Sequence, residues 1–347
     1  MAMMQMAMVG PFPPPLGGMA HQAEILARYL EQDGIDVHRV PTNLNRNIVV
    51  ARDLAMWKRW LAVKDAVDVV NVQTCCYTSY FTMSAPIIWW AKRAGKRVIV
   101  TYKGGSALEV FERTGEAGLR WLRMADVVTV QSGFLRDVFE RFGVATKLVP
   151  DLFEADVPQE EPKTPDPDSP RLVMTRGLGS YYNVGCTLRA FQEVQKNRPN
   201  AKLLLAGRGN REKPLRKLVS DLAVPNIEFL GWQNRAQMHD LYRSADICVN
   251  SSDVDNMPGA LLEAFLFGVP VVSTDAGGIP YMIEHGRSGR LVPMGDHEAL
   301  AREVLFLLDN PEIARDHATK AQASLDQYCW EAMRPLWLET IGVDQSS

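Results

Sequence analysis

Short apolar runs alternate along the chain with stretches whose apolar residues recur three and four positions apart. The runs at residues 69–72, 97–101 and 127–130 are brief and rich in β-branched side chains, as strands buried on both faces of a parallel sheet are. Residues 1–9 run directly into the proline-rich stretch 10–15 with no basic flank, so they predict a first strand rather than a signal peptide. Residues 23–30 predict an amphipathic helix that closes before Asp33-Gly34. The second half repeats the alternation, with strands at 172–174, 203–206, 227–230, 247–249 and 271–273 between helices near 186–196, 212–223 and 235–244. Residues 156–170 are acidic and proline-rich without any apolar period, which reads as a linker. The pattern therefore predicts two doubly wound α/β domains, 1–155 and 171–323, followed by a helical segment over about 324–340 in a tail that ends at 347.

Length agrees with that division, since 347 residues suit two domains that each bury a core. A net charge of -3 with no basic block leaves out the phosphate-neutralising surface that nucleic-acid binding needs. The longest apolar stretches, such as 85–91, fall far short of the roughly 20 residues that span a bilayer. Five cysteines without framework spacing fit a reducing cytoplasm, and the vicinal Cys75-Cys76 pair reads as packing.

Candidate chemistry concentrates in residues 244–293. A strand at 247–249 stops at the polar loop 250–256, and a helix then begins with Pro258 in its first position and ends at Gly268. This strand, loop and helix, followed by the strand at 271–273, place the helix N-terminus at the carboxyl edge of a parallel sheet, where ligands bind. The first-turn amides of Gly259, Ala260 and Leu261, expected to lack intrahelical partners, form a seat for an anion such as a diphosphate. Glu263, a turn further on, is placed to accept hydrogen bonds from the vicinal hydroxyls of a ribose, although a solvated helix glutamate is the plain alternative.

Asp255 precedes Glu263 by eight positions, and this D-x7-E pattern resembles the E-x7-E signature of the retaining glycosyltransferases of family 4 (group 1). That resemblance extends over nearly the whole chain. It implies a GT-B fold, in which two Rossmann-like domains face a central cleft, with the last helix crossing back to the first domain and a hinge closing the two. It also implies a nucleotide-diphosphate sugar as donor, with no cofactor and no metal. Carried over, Glu263 binds the donor ribose and Asp255 contacts donor-sugar hydroxyls, one methylene shorter than the family's acid. Asn256 and Met257, beside them, join the donor-binding set. Arg176, after the strand at 172–175, becomes the cation on the phosphates, where its planar fork suits phosphate oxygens. The family's downstream lysine is replaced by Tyr182. The segment Thr101-Tyr102-Lys103-Gly104-Gly105 resembles a strand-end motif whose histidine is here Lys103, so a positive charge on the first domain compensates for Tyr182; a solvated lysine is the alternative.

Gly17-Gly18 resembles the family's N-terminal glycine loop, with a plain turn needing positive φ as the alternative. Gly207, in Gly207-Arg208-Gly209, follows the strand at 202–206, but Glu212 stands where a dinucleotide fingerprint needs its third glycine, which argues against a nicotinamide enzyme. Trp232 either flanks the nucleobase or fills a core, and Asp275 to Pro280 forms a second glycine loop ahead of a helix near the donor sugar. The six histidines read as surface residues, with none as a catalytic base, since in retaining front-face displacement the departing phosphate takes the acceptor proton. Asp253-Val254-Asp255 spells a D-x-D tripeptide, too short to argue for a metal. Trp57, Trp60, Trp89 and Trp90 lie among Lys58, Arg59, Lys92 and Arg93, either as a peripheral contact at the inner membrane face beside a lipid-linked acceptor or as ordinary core helices. The expected activity is transfer of a hexosyl group to a glycan, lipid-linked or small-molecule acceptor in cell-surface polysaccharide or glycoconjugate synthesis. An isomerase or hydrolase-like enzyme on the same nucleotide seat, or a binding protein without turnover, is the alternative.

Overall fold

The computed structural model describes residues 3–14, 17–43, 49–75 and 79–343. Cys76 lies outside them; Cys75 is partly buried, and burial pushes its thiol up to about 11. The chain divides into two compact units, Met1–Glu154 with Tyr328–Ser347, and Ala155–Gln327.

The first unit is built on six parallel strands, β1 (Gln5–Gly10), β2 (Asp36–Pro41), β3 (Val69–Thr74), β4 (Arg97–Tyr102), β5 (Val127–Val130) and β6 (Lys147–Leu148), in the order β2-β1-β3-β4-β5-β6. The strand order reverses between β1 and β3, so the loops leaving those two strands diverge at their carboxyl ends. β3 is buried along its whole length and β1 and β4 along nearly all of theirs, which is why their sequences are apolar runs rather than alternations. Helix Gly18–Gln32 covers one face through Ala23, Leu26, Ala27 and Leu30.

The tail returns to this unit. It forms a short 3-10 turn, Leu325–Tyr328, and then helix Trp330–Ile341, instead of one helix from 324, because Cys329 is extended (φ -73°, ψ 163°). Trp330, Met333, Trp337 and Ile341 join the same core as Met6, Met8 and Leu30. The Trp330 ring stacks on Tyr29 at 5.0 Å, and Arg97 Nε donates to the Thr340 carbonyl at 3.0 Å.

The second unit repeats the plan with β7 (Arg171–Met174), β8 (Lys202–Ala206), β9 (Ile227–Gly231), β10 (Ile247–Asn250), β11 (Val271–Thr274) and β12 (Arg290–Val292), all parallel in the order β12-β11-β10-β7-β8-β9. Here the reversal falls between β7 and β10.

The stretch 156–170 differs from the linker its composition suggested. It belongs to the second unit and runs along it as an extended strap. Glu160 N donates to the Leu266 carbonyl at 3.1 Å and Lys163 N to the Gly268 carbonyl at 2.8 Å, while Asp246 accepts from Asp166 N and Arg171 N. Gly268 has φ +60°, and a Cβ there would lie 2.7 Å from the Glu161 carbonyl oxygen, so the strap passes only over glycine. Extended backbone bonded to the body of a unit carries no apolar period, which is why its sequence resembles a free linker.

Candidate active site in the second unit

The reversal beside β7 gathers four segments at one sheet edge: residues 175–183 after β7, 207–211 after β8, 251–258 after β10, and 275–280 after β11. Small buried polar side chains hold them together. Thr187 Oγ1 donates to Ser251 Oγ at 2.8 Å, and Ser251 Oγ donates to the Asn183 carbonyl at 2.9 Å. Ser252 Oγ reaches Asn250 Oδ1 at 2.9 Å, Asn250 Nδ2 reaches Ser273 Oγ at 2.9 Å, and Thr274 Oγ1 donates to the Ser252 carbonyl at 2.6 Å. Asn250, Ser251, Ser252, Ser273 and Thr274 are all buried, and these bonds supply the partners that a loop folded inward needs.

Helix Gly259–Leu266 opens into this edge. Pro258 sits outside the first turn, as the cap residue (φ -70°, ψ 112°), and no side chain caps the helix. Leu261 N donates to the Pro258 carbonyl at 3.0 Å, which removes Leu261 from the expected anion-binding amides. Gly259 and Ala260 remain at the positive end of the helix. A Cβ on Gly259 would meet nothing within 4 Å, so neither strain nor packing explains the glycine there.

Glu263 hangs from the same helix over a buried hydroxyl. Tyr242 is fully buried, and its oxygen lies 3.0 Å from Glu263 Oε2, 3.0 Å from the Ala260 carbonyl and 2.7 Å from Thr175 Oγ1. Its single proton serves either Glu263 or Ala260, and the Thr175 hydroxyl occupies the remaining lone pair. Burial pushes the Glu263 carboxyl above the usual carboxylate range, against the Tyr242 hydrogen bond and the charge of Arg176. Burial, reinforced by the Glu263 charge, raises Tyr242 well above its ordinary value, so the hydroxyl stays protonated. Sequence reading missed Tyr242. Its signal was an apolar-face position in the helix that precedes β10, which looks like any core tyrosine.

Arg176 extends from the end of β7 to Asp255, with Nη2 2.5 Å from Oδ2, and the two side chains are only 13% and 11% exposed. Ser252 Oγ, whose single proton is shared with Asn250 Oδ1, also lies 3.2 Å from Asp255 Oδ2, and the Asn256 amide donates to Oδ1 at 3.0 Å. The Arg176 guanidinium lies over the Tyr182 ring, 4.4 Å from its centre, and its Nε is buried without a hydrogen-bond partner. Tyr182 therefore stands beside Arg176 as a π face. Breaking a buried pair of this kind costs roughly 3–5 kcal/mol, because the surviving charge is left uncompensated.

The other sequence candidates fall around this centre or away from it. Gly207 has φ +149°, and a Cβ there would lie 2.1 Å from the Arg176 carbonyl oxygen; one on Gly209 would lie 2.2 Å from that of Leu178. Both glycines therefore let the β7 and β8 loops touch. Asn256 is buried beside Asp255, and Met257 is half-buried next to it. Gly278 N donates to the Asp255 carbonyl at 3.2 Å, which brings the 275–280 loop alongside. Trp232 is 61% exposed at the end of β9, which removes the core alternative. The two carboxylates of the D-x-D tripeptide turn to different partners, Asp253 to Asn183 Nδ2 at 3.0 Å and Asp255 to Arg176. Among the described residues no group of three His, Cys, Asp or Glu side chains is arranged to hold a metal.

One histidine departs from expectation. His317 is buried, with Nε2 3.1 Å from the Gly286 carbonyl, and burial lowers its pKa. His239 meets Asp156 at 3.2 Å. Asp156 is held below the ordinary carboxylate range; burial opposes this, but its hydrogen bond to Arg235 and the charge of that residue outweigh it.

In the first unit, Gly17 and Gly18 begin helix Gly18–Gln32 after β1. Gly17 is extended (φ -168°), neither residue has positive φ, and a Cβ on either meets nothing within 4 Å, so the plain-turn explanation fails. Lys103 is not solvated: its side chain is 8% exposed and pairs with Asp151, beyond β6. Trp60 is a core residue with the Trp90 ring edge-on at 5.4 Å, whereas Trp89 is 41% exposed under Arg93.

Comparison with known proteins places this geometry. Residues 157–324 match the family model described as Glycosyl transferases group 1. N-acetyl-alpha-D-glucosaminyl L-malate synthase of Bacillus anthracis is 34% identical over 127 residues, 36% of this chain and 33% of that protein. Phosphatidyl-myo-inositol mannosyltransferase of Mycobacterium leprae is 31% identical over 167 residues, 48% of this chain and 41% of its own. The chain thus spans less than half the length of these curated relatives. Among solved structures, HepE of Anabaena in complex with UDP superposes with a TM-score of 0.76 at 17% identity, covering 97% of this chain and 99% of its own. Sucrose-phosphate synthase of Thermosynechococcus elongatus gives 0.79 at 17% identity, covering 98% and 100%. The second unit is similar to the group 1 glycosyltransferases over residues 157–324, and the chain has the GT-B fold.

The glycines at these edges separate by cause. Gly17→Ala and Gly259→Ala, where a Cβ has room, are expected to leave the melting temperature within about 2 °C, while Gly209→Ala costs more than about 2 kcal/mol, as read by urea unfolding.

Proposed function

We propose that this chain is a retaining, metal-independent hexosyltransferase that moves a sugar from a nucleotide-diphosphate sugar to a glycan, lipid-linked or small-molecule acceptor in polysaccharide or glycoconjugate synthesis. The observation that carries the reading is the cluster of Arg176, Asp255, Tyr182 and Glu263 around the open end of helix Gly259–Leu266, in a unit similar to the group 1 glycosyltransferases. The UDP named with HepE and the mannosyl transfer named for the Mycobacterium leprae relative support this reading.

In this proposal the diphosphate lies against the amides of Gly259 and Ala260 and the fork of Arg176, which stabilise the negative charge that grows on the leaving group. Glu263, oriented by Tyr242, accepts from the ribose hydroxyls, and Asp255 accepts from the sugar. Asn256 and Met257 border the sugar, while Gly207 and Trp232 border the nucleobase. In the first unit, Gly17 and Gly18 leave room for a substrate group and Lys103 supplies a polar contact, its charge balanced by Asp151. No side chain is needed as base, since the departing phosphate takes the acceptor proton.

A thermal-shift screen of UDP-, GDP-, ADP- and dTDP-sugars, followed by turnover of the best binder with acceptor, tests the reading; one of the four is expected to stabilise the chain and to be consumed. The same assay should show at least a tenfold lower kcat/KM in Lys103→Ala, about 1.4 kcal/mol, and an unchanged value removes Lys103 from the site. Turnover is expected to continue in EDTA; loss of activity that a divalent ion restores would refute metal independence.

For the acceptor side, we read helix Val49–Val63 and its neighbour Ala85–Arg93 as a contact with an anionic membrane surface. Leu54, Leu61 and Trp89 are exposed there beside the exposed Lys58, Arg59 and Arg93. Among the described residues no helix is long and apolar enough to cross a membrane, so the contact would be peripheral. The chain is expected to float with phosphatidylglycerol vesicles but not with phosphatidylcholine vesicles, and equal recovery from both rules the contact out.

A further inference from the structure

The ion pair between Arg176 and Asp255 joins the two groups that the proposed function assigns to different parts of the donor, the arginine to phosphate and the aspartate to sugar. Arg176 Nη2 lies 2.5 Å from Asp255 Oδ2, so a diphosphate that takes this end of the fork displaces the carboxylate. Asp255 is not left bare by the exchange. It keeps the Asn256 amide and a share of the Ser252 proton, with acceptor capacity to spare. Arg176 is likewise kept in place by the Tyr182 ring. Tyr182 brings no positive charge, so Arg176 meets a strong local competitor with little help.

We propose that Asp255 determines specificity by exchanging partners, binding Arg176 when no sugar is present and donor-sugar hydroxyls when one is. A nucleotide sugar satisfies both groups at once: phosphate oxygens take Arg176 while sugar hydroxyls occupy the freed carboxylate. A nucleoside diphosphate satisfies only the first and leaves Asp255 to compete for Arg176. The pair thus favours substrate over product and drives off the diphosphate after transfer. This role rests on the nucleotide-sugar reading of the site, yet it makes a claim about a ligand that has no sugar at all.

Calorimetric titration of UDP, GDP, UDP-glucose and GDP-mannose into wild-type, Asp255→Asn and Asp255→Glu chains tests it. Removing the competing charge in Asp255→Asn is expected to tighten binding of the free diphosphate by about three- to tenfold, since the open form of Arg176 no longer has to be won from the aspartate. Binding of the sugar conjugate is expected to stay level or weaken, and Asp255→Glu to restore weak diphosphate binding. A role limited to sugar contact predicts unchanged diphosphate affinity in Asp255→Asn, and that result, or weaker binding by a folded variant, overturns the proposal. Asp255→Ser takes the place of Asn if the latter does not fold. If none of the four ligands binds the wild-type chain, it is the nucleotide-sugar reading that fails.

Discussion

A parallel sheet sends the carboxyl ends of all its strands to one edge, and a single reversal of strand order opens a gap there that no crossover helix fills. In the second unit that reversal lies between β7 and β10, and the candidate chemistry gathers beside it: Arg176 leaves β7, Asp255 follows β10, and helix Gly259–Leu266 starts between them. The first unit has the same constraint between β1 and β3, with Gly17 and Gly18 at the corresponding helix start. The distribution of polar residues follows from it. Asn250, Ser251, Ser252, Ser273 and Thr274 are buried because strand ends that turn inward need partners that the ladder no longer supplies.

A second feature recurs in both units: an enclosed cation at the sheet edge has a carboxylate beside it. Lys103 has Asp151, and Arg176 has Asp255 with Tyr182 stacked on its other side. Groups this deeply enclosed are not kept charged by solvent, and each requires a partner when no ligand is present. Such partners are weak sources of stability, since desolvation offsets most of the attraction between them. In the proposed function they are better understood through what replaces them.

Much of the architecture was legible in the sequence because its signals are local. Apolar runs marked the strands, glycine and proline marked the ends of helix Gly259–Leu266, and Arg176 and Glu263 could be placed by their offsets from those elements. What the sequence hid was contact between distant residues. Nothing near Lys103 announces Asp151, 48 positions away, and nothing near Asp255 announces Arg176, 79 positions away. The sequence offered Tyr182 only as the replacement of a lysine, but a guanidinium uses its ring, a role that depends on the fold of the 177–183 turn. The strap at 156–170 escaped notice because main-chain hydrogen bonds leave no mark on side-chain pattern, and His317 because its burial is set by a loop 31 residues away.

The strap also clamps the C-terminal end of helix Gly259–Leu266. Its Glu160 amide caps the Leu266 carbonyl, Gln322 Nε2 bonds both that carbonyl and the Glu160 carbonyl, and Lys163 N follows at Gly268. The free end of the helix carries the proposed phosphate seat, while its closed end is clamped by backbone whose composition resembles a free linker. A protease nick between 156 and 170 would leave every candidate site residue in the molecule and still loosen the helix from behind, so in the proposed function the proline-rich segment supports the nucleotide seat as much as the loop at its open end does.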